Sequence, residues 1–151
     1  MTINQATDYA FRAVLYLAKH PEEVVEAQVI ADREVIPMRF LLKIMPSLIK
    51  AGIIRSYRGA GGGYSLAKKP QDITFLDVLE AIEGPVRLNR CLFDHSYCSK
   101  KAATACDIHN VLGSVQEKLR QELQSHKFSD LLLNDQANSN LTMQLNNATK
   151  P

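Results

Sequence analysis

The side chains best suited to chemistry in this sequence lie close together, between residues 91 and 109. Three cysteines and a histidine follow one another as Cys91, Cys98, Cys106 and His109, with six, seven and two residues between them. Soft thiolate ligands suit iron, and three of them leave one coordination position for a fourth residue. The array therefore predicts an iron-sulfur cluster, with His109 as a candidate fourth ligand.

Zinc binding and catalysis are the alternative roles for these residues. Structural zinc sites usually contain pairs of cysteines separated by two residues, and this array has none. In a nucleophilic enzyme Cys106 would attack the substrate, and His109, one helical turn further on, would act as its base. No set of oxyanion donors or orienting acid is evident in the sequence, and three cysteines are two more than that chemistry needs. We therefore expect a cluster and no enzymatic activity.

Length and composition limit what the chain can be. Its 151 residues, 46% of them hydrophobic, suffice for one compact unit with appendages. The longest apolar stretches, such as residues 40–45, are far shorter than the roughly 20 residues that cross a bilayer. The amino terminus lacks the pattern of a signal peptide. These features predict a cytoplasmic protein without membrane contact, and a reducing cytoplasm disfavours structural disulfides.

Positive charge is concentrated in the middle of the chain. Residues 33–69 contain eight lysines and arginines and one acid, which gives +7, whereas the whole chain carries only +2. The remainder is therefore net acidic. A basic segment on an acidic body favours a polyanionic partner, and nucleic acid is the leading candidate.

Helical periodicity accounts for the first third of the chain. Apolar residues recur at helical spacing over residues 3–18, which predicts a first helix of about four turns. A short second helix is predicted over residues 27–33. After a tight connection a third helix begins at Pro37 and continues to about Ala51, where Gly52 stops it. Two helices joined by so short a turn, the second of them basic, form a helix-turn-helix pattern.

A glycine-rich segment follows the third helix. Residues 53–58 and 64–67 alternate as strands do, and residues 59–63 between them include four glycines. Phosphate-binding glycine loops pass from a strand into a helix, whereas both flanks here look like strands. We therefore predict a β-hairpin whose tip approaches a DNA backbone closely, because glycine has no side chain to obstruct the approach.

The second half of the chain is predicted to be helical. Thr74 to Asp77 forms a capping box before a helix that ends at Gly84. A longer amphipathic helix is predicted over residues 107–126. Its apolar side comprises Ile108, Val111, Leu112, Val115, Leu119 and Leu123. This side suits a seam with a second subunit, and packing within the same chain is the alternative.

These patterns predict a mainly α fold with a small β-hairpin wing, a winged helix-turn-helix plus a long dimerisation helix. Residues 1–84 form the DNA-binding domain and residues 85–106 the cluster-binding loop. Residues 107–133 form the dimerisation helix and a short C-terminal helix. Residues 134–151 are rich in Asn and Gln, and we expect them to be disordered.

Several segments of the sequence are characteristic of one group of bacterial proteins. The Arg-Gly-Ala-Gly-Gly-Gly-Tyr wing at residues 58–64 is paired with a Glu-Ala-Ile-Glu-Gly helix end at residues 80–84. Further matching segments are residues 7–10, 16–18, 48–56 and 77–79. With these segments, over about residues 1–133, the chain resembles the IscR/NsrR-type family of regulators. The resemblance implies a homodimeric repressor in which each winged helix-turn-helix reads half of a near-palindromic operator in double-stranded DNA.

The resemblance also suggests which residues meet DNA. The candidate contacts are Met38, Arg39, Lys43, Arg55, Arg58, Gly61, Gly62 and Tyr64. Arg39 would read guanine through two hydrogen bonds, and Lys43 would meet phosphate. Arg58 and the glycine tip would reach the minor groove or backbone, with Arg55 as phosphate support. Pro46 departs from a regular third helix and predicts a kink or an early change of direction, which puts the later base contacts in doubt.

The family resemblance leaves the cluster type open. Proteins that resemble IscR hold a 2Fe-2S cluster with a histidine three residues after the last cysteine, which matches His109. Proteins that resemble NsrR hold a 4Fe-4S cluster with an acid from the first helix of the partner subunit, which matches Asp8. We favour 2Fe-2S with His109, although the cysteines are spaced more widely than is usual. The cluster would sense cluster supply, redox state or nitric oxide. The alternative is a cluster-free regulator of the same fold that senses through thiols or a protein partner.

Overall fold

Three helices and a two-stranded hairpin form the amino-terminal half of the chain, in the order that the sequence predicts. The structure is a computed structural model and describes residues 2–135. The elements of this half are α1 (Gln5–Lys19), α2 (Ala27–Glu34), α3 (Met38–Lys50), β1 (Ile54–Tyr57) and β2 (Gly63–Leu66). The predicted fold class, mainly α with a β-hairpin wing, is confirmed.

A capped, amphipathic α1 supplies the centre of the core. The side chain of Asn4 accepts a hydrogen bond from the backbone N–H of Thr7 at 2.9 Å, which satisfies one of the free donors of the first turn. Small and branched apolar residues at helical spacing, Ala10, Ala13, Val14 and Leu17, are almost completely buried. Because two of the four are alanines, α2 and α3 can approach α1 closely.

A short turn joins α2 to α3. Val35 ends α2 in the left-handed conformation, with φ 53°, and its side chain is 78% exposed. This conformation costs a residue with a β-carbon about 1–2 kcal/mol, so packing of the two helices must hold the turn in place. In α3 the residues Leu41, Ile44, Met45 and Leu48 are buried. Pro46 lies on the opposite, exposed side, and the helix continues beyond it to Lys50.

The hairpin is tied to the helical core by a third piece of extended chain. β1 and β2 pair antiparallel, with Ile54 opposite Leu66 and Tyr57 opposite Gly63. Val25, just before α2, pairs with Tyr64 through two backbone hydrogen bonds of 2.9 and 2.8 Å. The wing is therefore attached to the start of the helix-turn-helix as well as to α3.

The predicted capping box opens α4 (Phe75–Glu83), and both of its hydrogen bonds form. Thr74 Oγ1 accepts from the N–H of Asp77 at 3.1 Å, and Asp77 accepts from the N–H of Thr74 at 2.9 Å. At the other end of α4, Glu83 accepts a hydrogen bond of 2.6 Å from the hydroxyl of Thr7, which is fully buried. This bond fixes α4 to the first turn of α1.

The remaining described residues contain the cysteine-bearing loop and the long helix α5 (Asp107–Ser125). Three short 3-10 turns, Arg90–Leu92, His95–Tyr97 and Ala103–Ala105, divide the loop. After α5, residues 128–135 are helical. Of the tail predicted to be disordered from residue 134, residues 136–151 lie outside the described part of the chain. Among residues 2–135 no helix combines the length and apolarity needed to cross a membrane.

Phe128, three residues after the end of α5, returns the chain to the core of the amino-terminal half. Its side chain is fully buried and stacks on Phe75, with ring centroids 5.0 Å apart. The ring centroids of Phe11 and Phe75 are 4.7 Å apart. Backbone hydrogen bonds from Phe75 to His126 and from Phe128 to Ile73 extend this contact. The end of α5 is thereby held against α1 and α4.

Candidate nucleic-acid interface and cysteine loop

Helix α3 presents both basic and apolar side chains to solvent. Its exposed residues fall on the side opposite the buried one, because they repeat at intervals of three and four. They are Arg39, Leu42, Lys43, Pro46, Ile49 and Lys50. The Arg39 guanidinium lies 4.7 Å from the centre of the Phe40 ring, which supports its side chain on the helix surface. Met38, a predicted contact, is half-buried and packs against the core.

A groove of about 640 Å³ separates α3 from the wing. Leu42, Pro46 and Ile49 line it on the helix side. The wing lines the other side with Tyr57, Arg58 and glycines 59 and 61–63. Arg55 is exposed and lies in an adjoining depression beside Ile49. The cationic residues predicted to meet DNA are therefore exposed around one surface.

The glycines of the wing are required by the backbone as well as by the space around it. Gly61 has φ +74°, in the left-handed region that favours glycine. A β-carbon at Gly62 would lie 2.6 Å from the carbonyl oxygen of Tyr57, and one at Gly63 only 2.2 Å from that of Val25. Tyr64, also predicted to contact DNA, is half-buried and pairs with Val25. Gly63 and Tyr64 thus join the wing to the body.

The three cysteines lie at turns of the loop and at the start of α5. Cys91 is inside one 3-10 turn, Cys98 directly follows another, and Cys106 is the N-cap of α5. All three are free thiols and half-buried. Backbone N–H groups, first that of Ala102 and then those of Lys100 and Lys101, donate to Cys98 and hold its thiol pKa below the ordinary value. The loop therefore already stabilises a thiolate, the form of cysteine that binds metal.

His109 has the features of an available ligand. Its Nδ1 is the one buried side-chain nitrogen or oxygen in the described part of the chain that lacks a hydrogen-bond partner. Such an atom is costly unless something else satisfies it. His95, inside the cysteine loop, lies edge-on to His109, with ring centroids 5.5 Å apart.

Asp8, the alternative ligand, is engaged within its own chain. Its carboxylate forms an ion pair of 2.6 Å with Arg12 and accepts a hydrogen bond of 3.1 Å from Gln5. The carboxylate is exposed, so this pairing contributes little to stability. Both contacts are made by Oδ2, so Oδ1 has no partner among the described residues and could still bind a metal.

The donor set matches an iron-sulfur cluster in its chemistry, but it is not assembled in this structure. Within residues 2–135 no group of three or more histidine, cysteine, aspartate or glutamate side chains is arranged to hold a metal ion. Three thiols, one of them with a lowered pKa, and an unsatisfied imidazole nitrogen are the donors such a cluster uses. Binding would require the loop to draw these donors together.

Hydrogen bonds connect this loop to the helices on either side. Glu80, on α4, accepts from the N–H of Val86 at 3.2 Å and forms an ion pair with Arg120 of α5. Gln116, also on α5, accepts from the N–H of Leu88 at 2.9 Å. The first residues of the loop are thus fixed to both α4 and α5.

The apolar side of α5 is divided between two environments. Leu112, Leu119 and Leu123 are half-buried, whereas Ile108, Val111 and Val115 are 69%, 62% and 48% exposed. No residue of α5 is fully buried. The single seam predicted from the sequence therefore consists of a row that faces the same chain and a second row that faces solvent.

Sequence reasoning missed two features of this part of the molecule. Leu42, Pro46 and Ile49 form an exposed apolar row on α3, which a helical projection of residues 38–50 would have separated from the buried face. Phe128 anchors the chain after α5, and its only local signal is its position between polar residues. A helical projection of α3 could have shown the apolar row, whereas the burial of Phe128 depends on contacts with residues distant in sequence.

A helix-turn-helix with a glycine-tipped wing and a basic outer face defines a winged-helix transcription regulator that binds DNA. Residues 3–134 match the family model Rrf2, described as an iron-dependent transcriptional regulator. The chain belongs to the Rrf2 family. The proteins named in this family and among its relatives are transcriptional regulators rather than enzymes, as expected.

Individual relatives agree with this assignment. The chain is 31% identical to the regulator NsrR of Shouchella clausii, over 89% of this chain and 91% of the relative. The structure of IscR from T. potens superposes with a TM-score of 0.68 at 27% identity and covers 89% of this chain and 88% of its own. CymR, the global cysteine regulator of B. subtilis, has the same fold, with a TM-score of 0.66 at 24% identity and coverage of 87% and 95%.

We predict that Gly63→Ala detaches the wing. The new methyl group would collide with the Val25 carbonyl, so the Val25–Tyr64 pairing must break and DNA affinity should fall by at least tenfold. Gly113→Ala is the matched control, since its β-carbon would lie 3.6 Å from Leu92, an ordinary contact inside a helix. That change should raise the free energy of unfolding by up to about 1 kcal/mol. Equal DNA affinity of the Gly63→Ala protein, measured by fluorescence anisotropy, would contradict this role of Gly63.

Proposed function

We propose that this protein is a homodimeric repressor whose affinity for operator DNA is set by an iron-sulfur cluster on Cys91, Cys98 and Cys106. The observation that carries the proposal is the position of the cysteines, which all lie in the segment that joins α4 to α5. Glu80 and Gln116 fix the start of this segment to both helices. A change in the loop can therefore reach the DNA-binding half directly. A regulator of chromosomal genes would work in the cytoplasm.

The contacts with DNA follow from exposure and charge. Arg39 is on the first turn of α3, where a recognition helix meets base edges, and its planar guanidinium suits guanine. Lys43, one turn later, suits a phosphate. Arg58 lies beside the glycine tip of the wing and would reach the neighbouring minor groove or backbone, and Arg55 would support it on phosphate. Gly61 and Gly62 would let the tip approach without obstruction.

Binding to DNA should depend steeply on salt, because several of these contacts are with phosphates. On a duplex selected by the protein from a random-sequence pool, affinity should fall by roughly 10³-fold or more between 50 and 200 mM salt. Lys43→Ala should reduce the slope of log affinity against log salt concentration by about 1 for each subunit on the DNA. Lys118→Ala, which alters an exposed residue of α5, should leave this slope unchanged. A flat dependence for the unmodified protein would refute phosphate-based DNA binding.

The second subunit would cover the exposed row of α5. Ile108, Val111 and Val115 repeat at helical spacing on one side of a helix with no fully buried residue, which is the pattern of a helix that packs against another helix. Such packing would place the two recognition helices at a spacing set by α5. It would therefore couple movement of α5 to the fit on a two-part operator.

Placing a charge in this row should separate the subunits. We expect Val111→Asp to be monomeric in sedimentation-velocity experiments at micromolar concentration and to bind the selected duplex at least tenfold more weakly, because half of the operator contacts are lost. Gln121→Asp adds the same charge on another side of α5 and should remain dimeric. A dimeric Val111→Asp protein would show that a different surface forms the dimer.

The cluster would be held by the three cysteines and, as the favoured fourth ligand, His109. Support for His109 comes from its buried Nδ1, which has no hydrogen-bond partner among the described residues. Asp8 is less favoured, because the ion pair of its Oδ2 with Arg12 offsets its charge, although its Oδ1 has no partner among the described residues. We therefore favour 2Fe-2S over 4Fe-4S. When bound, the cluster supplies a centre sensitive to iron supply, redox state and nitric oxide.

Anaerobic purification followed by absorbance and Mössbauer spectroscopy tests this proposal. The unmodified protein should show a 2Fe-2S cluster, which Cys98→Ser should lose and His109→Ala should weaken or alter spectrally. Asp8→Ala should leave the spectra unchanged, and Ser96→Ala is the control within the loop. Loss of the cluster should change affinity for the selected duplex at least fivefold.

The other outcomes of this experiment are distinct. A 4Fe-4S spectrum that is lost in Asp8→Ala would replace His109 by Asp8 as the ligand. An iron-free protein that still binds DNA would support the cluster-free regulator that senses through thiols or a protein partner. Unchanged DNA affinity after cluster loss would contradict coupling between the loop and the DNA-binding half.

A further inference from the structure

The exposed face of α3 carries two rows of side chains with different chemistry. Arg39, Lys43 and Lys50 form a cationic row. Beside it, toward the wing, Leu42, Pro46 and Ile49 form an apolar row with the helical spacing of four and three residues. The apolar row is separate from the buried face of α3, so packing of the core does not account for it.

The apolar row is left in water by its own chain. Leu42 is 49% exposed and Ile49 is 37% exposed, and both line the groove between α3 and the wing. A single exposed leucine is ordinary on a protein surface. Three exposed apolar residues in one row, within the most basic segment of the chain, are not ordinary for a protein surface. They indicate a partner whose contact surface is apolar in the middle and anionic at the edges.

The major groove of DNA has this combination of properties. Its walls are phosphates, and the 5-methyl group of thymine is the apolar group that the base pairs present in it. Residues 33–69 carry +7, which favours the phosphates on either side. The charge of this segment thus disfavours a purely apolar peptide as the occupant.

We propose that Leu42 reads a thymine 5-methyl group in the major groove, with Pro46 and Ile49 extending the apolar contact toward the wing. This inference rests on the DNA-binding function proposed above and names the base that this side of α3 selects. Leu42 is three residues after Arg39, about 4.5 Å along the helix. Successive base pairs are about 3.4 Å apart. The thymine should therefore lie one or two base pairs from the guanine that Arg39 reads.

Replacing thymine by deoxyuridine removes the methyl group and keeps the hydrogen-bonding pattern of the base. In a duplex selected by the protein from a random-sequence pool, each thymine is replaced in turn and affinity is measured at constant salt. At one position in each half-site the unmodified protein should lose about fourfold in affinity, the value of one buried methyl group. The Leu42→Ala protein should bind the thymine and deoxyuridine duplexes equally.

Two controls keep this test specific. Lys43→Ala removes a neighbouring charge and should bind more weakly overall while still losing about fourfold with deoxyuridine. Because Leu42 is exposed, Leu42→Ala should unfold at the same temperature as the unmodified protein, so a change in affinity cannot be ascribed to misfolding. Together they separate the methyl contact from charge and from stability.

The possible failures can be told apart. If the protein selects no duplex from the pool, the DNA-binding function itself is wrong. If it selects a duplex with steep salt dependence but no thymine is sensitive to deoxyuridine, the reading of thymine by Leu42 is overturned and DNA binding stands. If Leu42→Ala instead changes the oligomeric state in sedimentation, the apolar row is a contact between copies of this chain, which also overturns the inference.

Discussion

The burial of Phe128 against Phe75 and Phe11 is the contact on which the arrangement of the second half depends. It holds the end of α5 against α1 and α4, and the hydrogen bonds of Glu80 and Gln116 hold the other side of the junction. The cysteine loop is therefore part of a closed path that begins and ends on the DNA-binding half. Without this contact the C-terminal end of α5 would be held only by the ion pair of Arg120 with Glu80 and by its half-buried leucines.

Helix α3 has its buried side and the side proposed to recognise DNA opposite each other. Leu41, Ile44, Met45 and Leu48 belong to the core, while charges and a second set of apolar residues face outward. Pro46 illustrates the separation. A proline inside a helix removes one backbone hydrogen bond, but on the exposed side its ring adds to the apolar row without disturbing the packing beneath.

Local sequence patterns predicted most of the elements, because helix periodicity, the Thr74 capping box and the glycine tip are short-range signals. They could not assign the apolar residues of α5 to two environments, since which row is covered depends on where α4 lies. The burial of Phe128 has the same origin. The family resemblance identified candidate ligands at the site, but the position of Asp8 beside Arg12 and the unsatisfied nitrogen of His109 are properties of the folded chain.

The pairing of Val25 with Tyr64 joins the wing to the residue that leads into α2, and glycine at position 63 allows the two backbones to approach this closely. The two backbone hydrogen bonds between Val25 and Tyr64 therefore oppose separation of the wing from the helix-turn-helix. In the dimer proposed above, a signal that arrives through α5 would move the wing and α3 together relative to the partner subunit. The response would then appear as a change in the distance between half-sites that the protein accepts, while the sequence preferred within each half-site would stay the same.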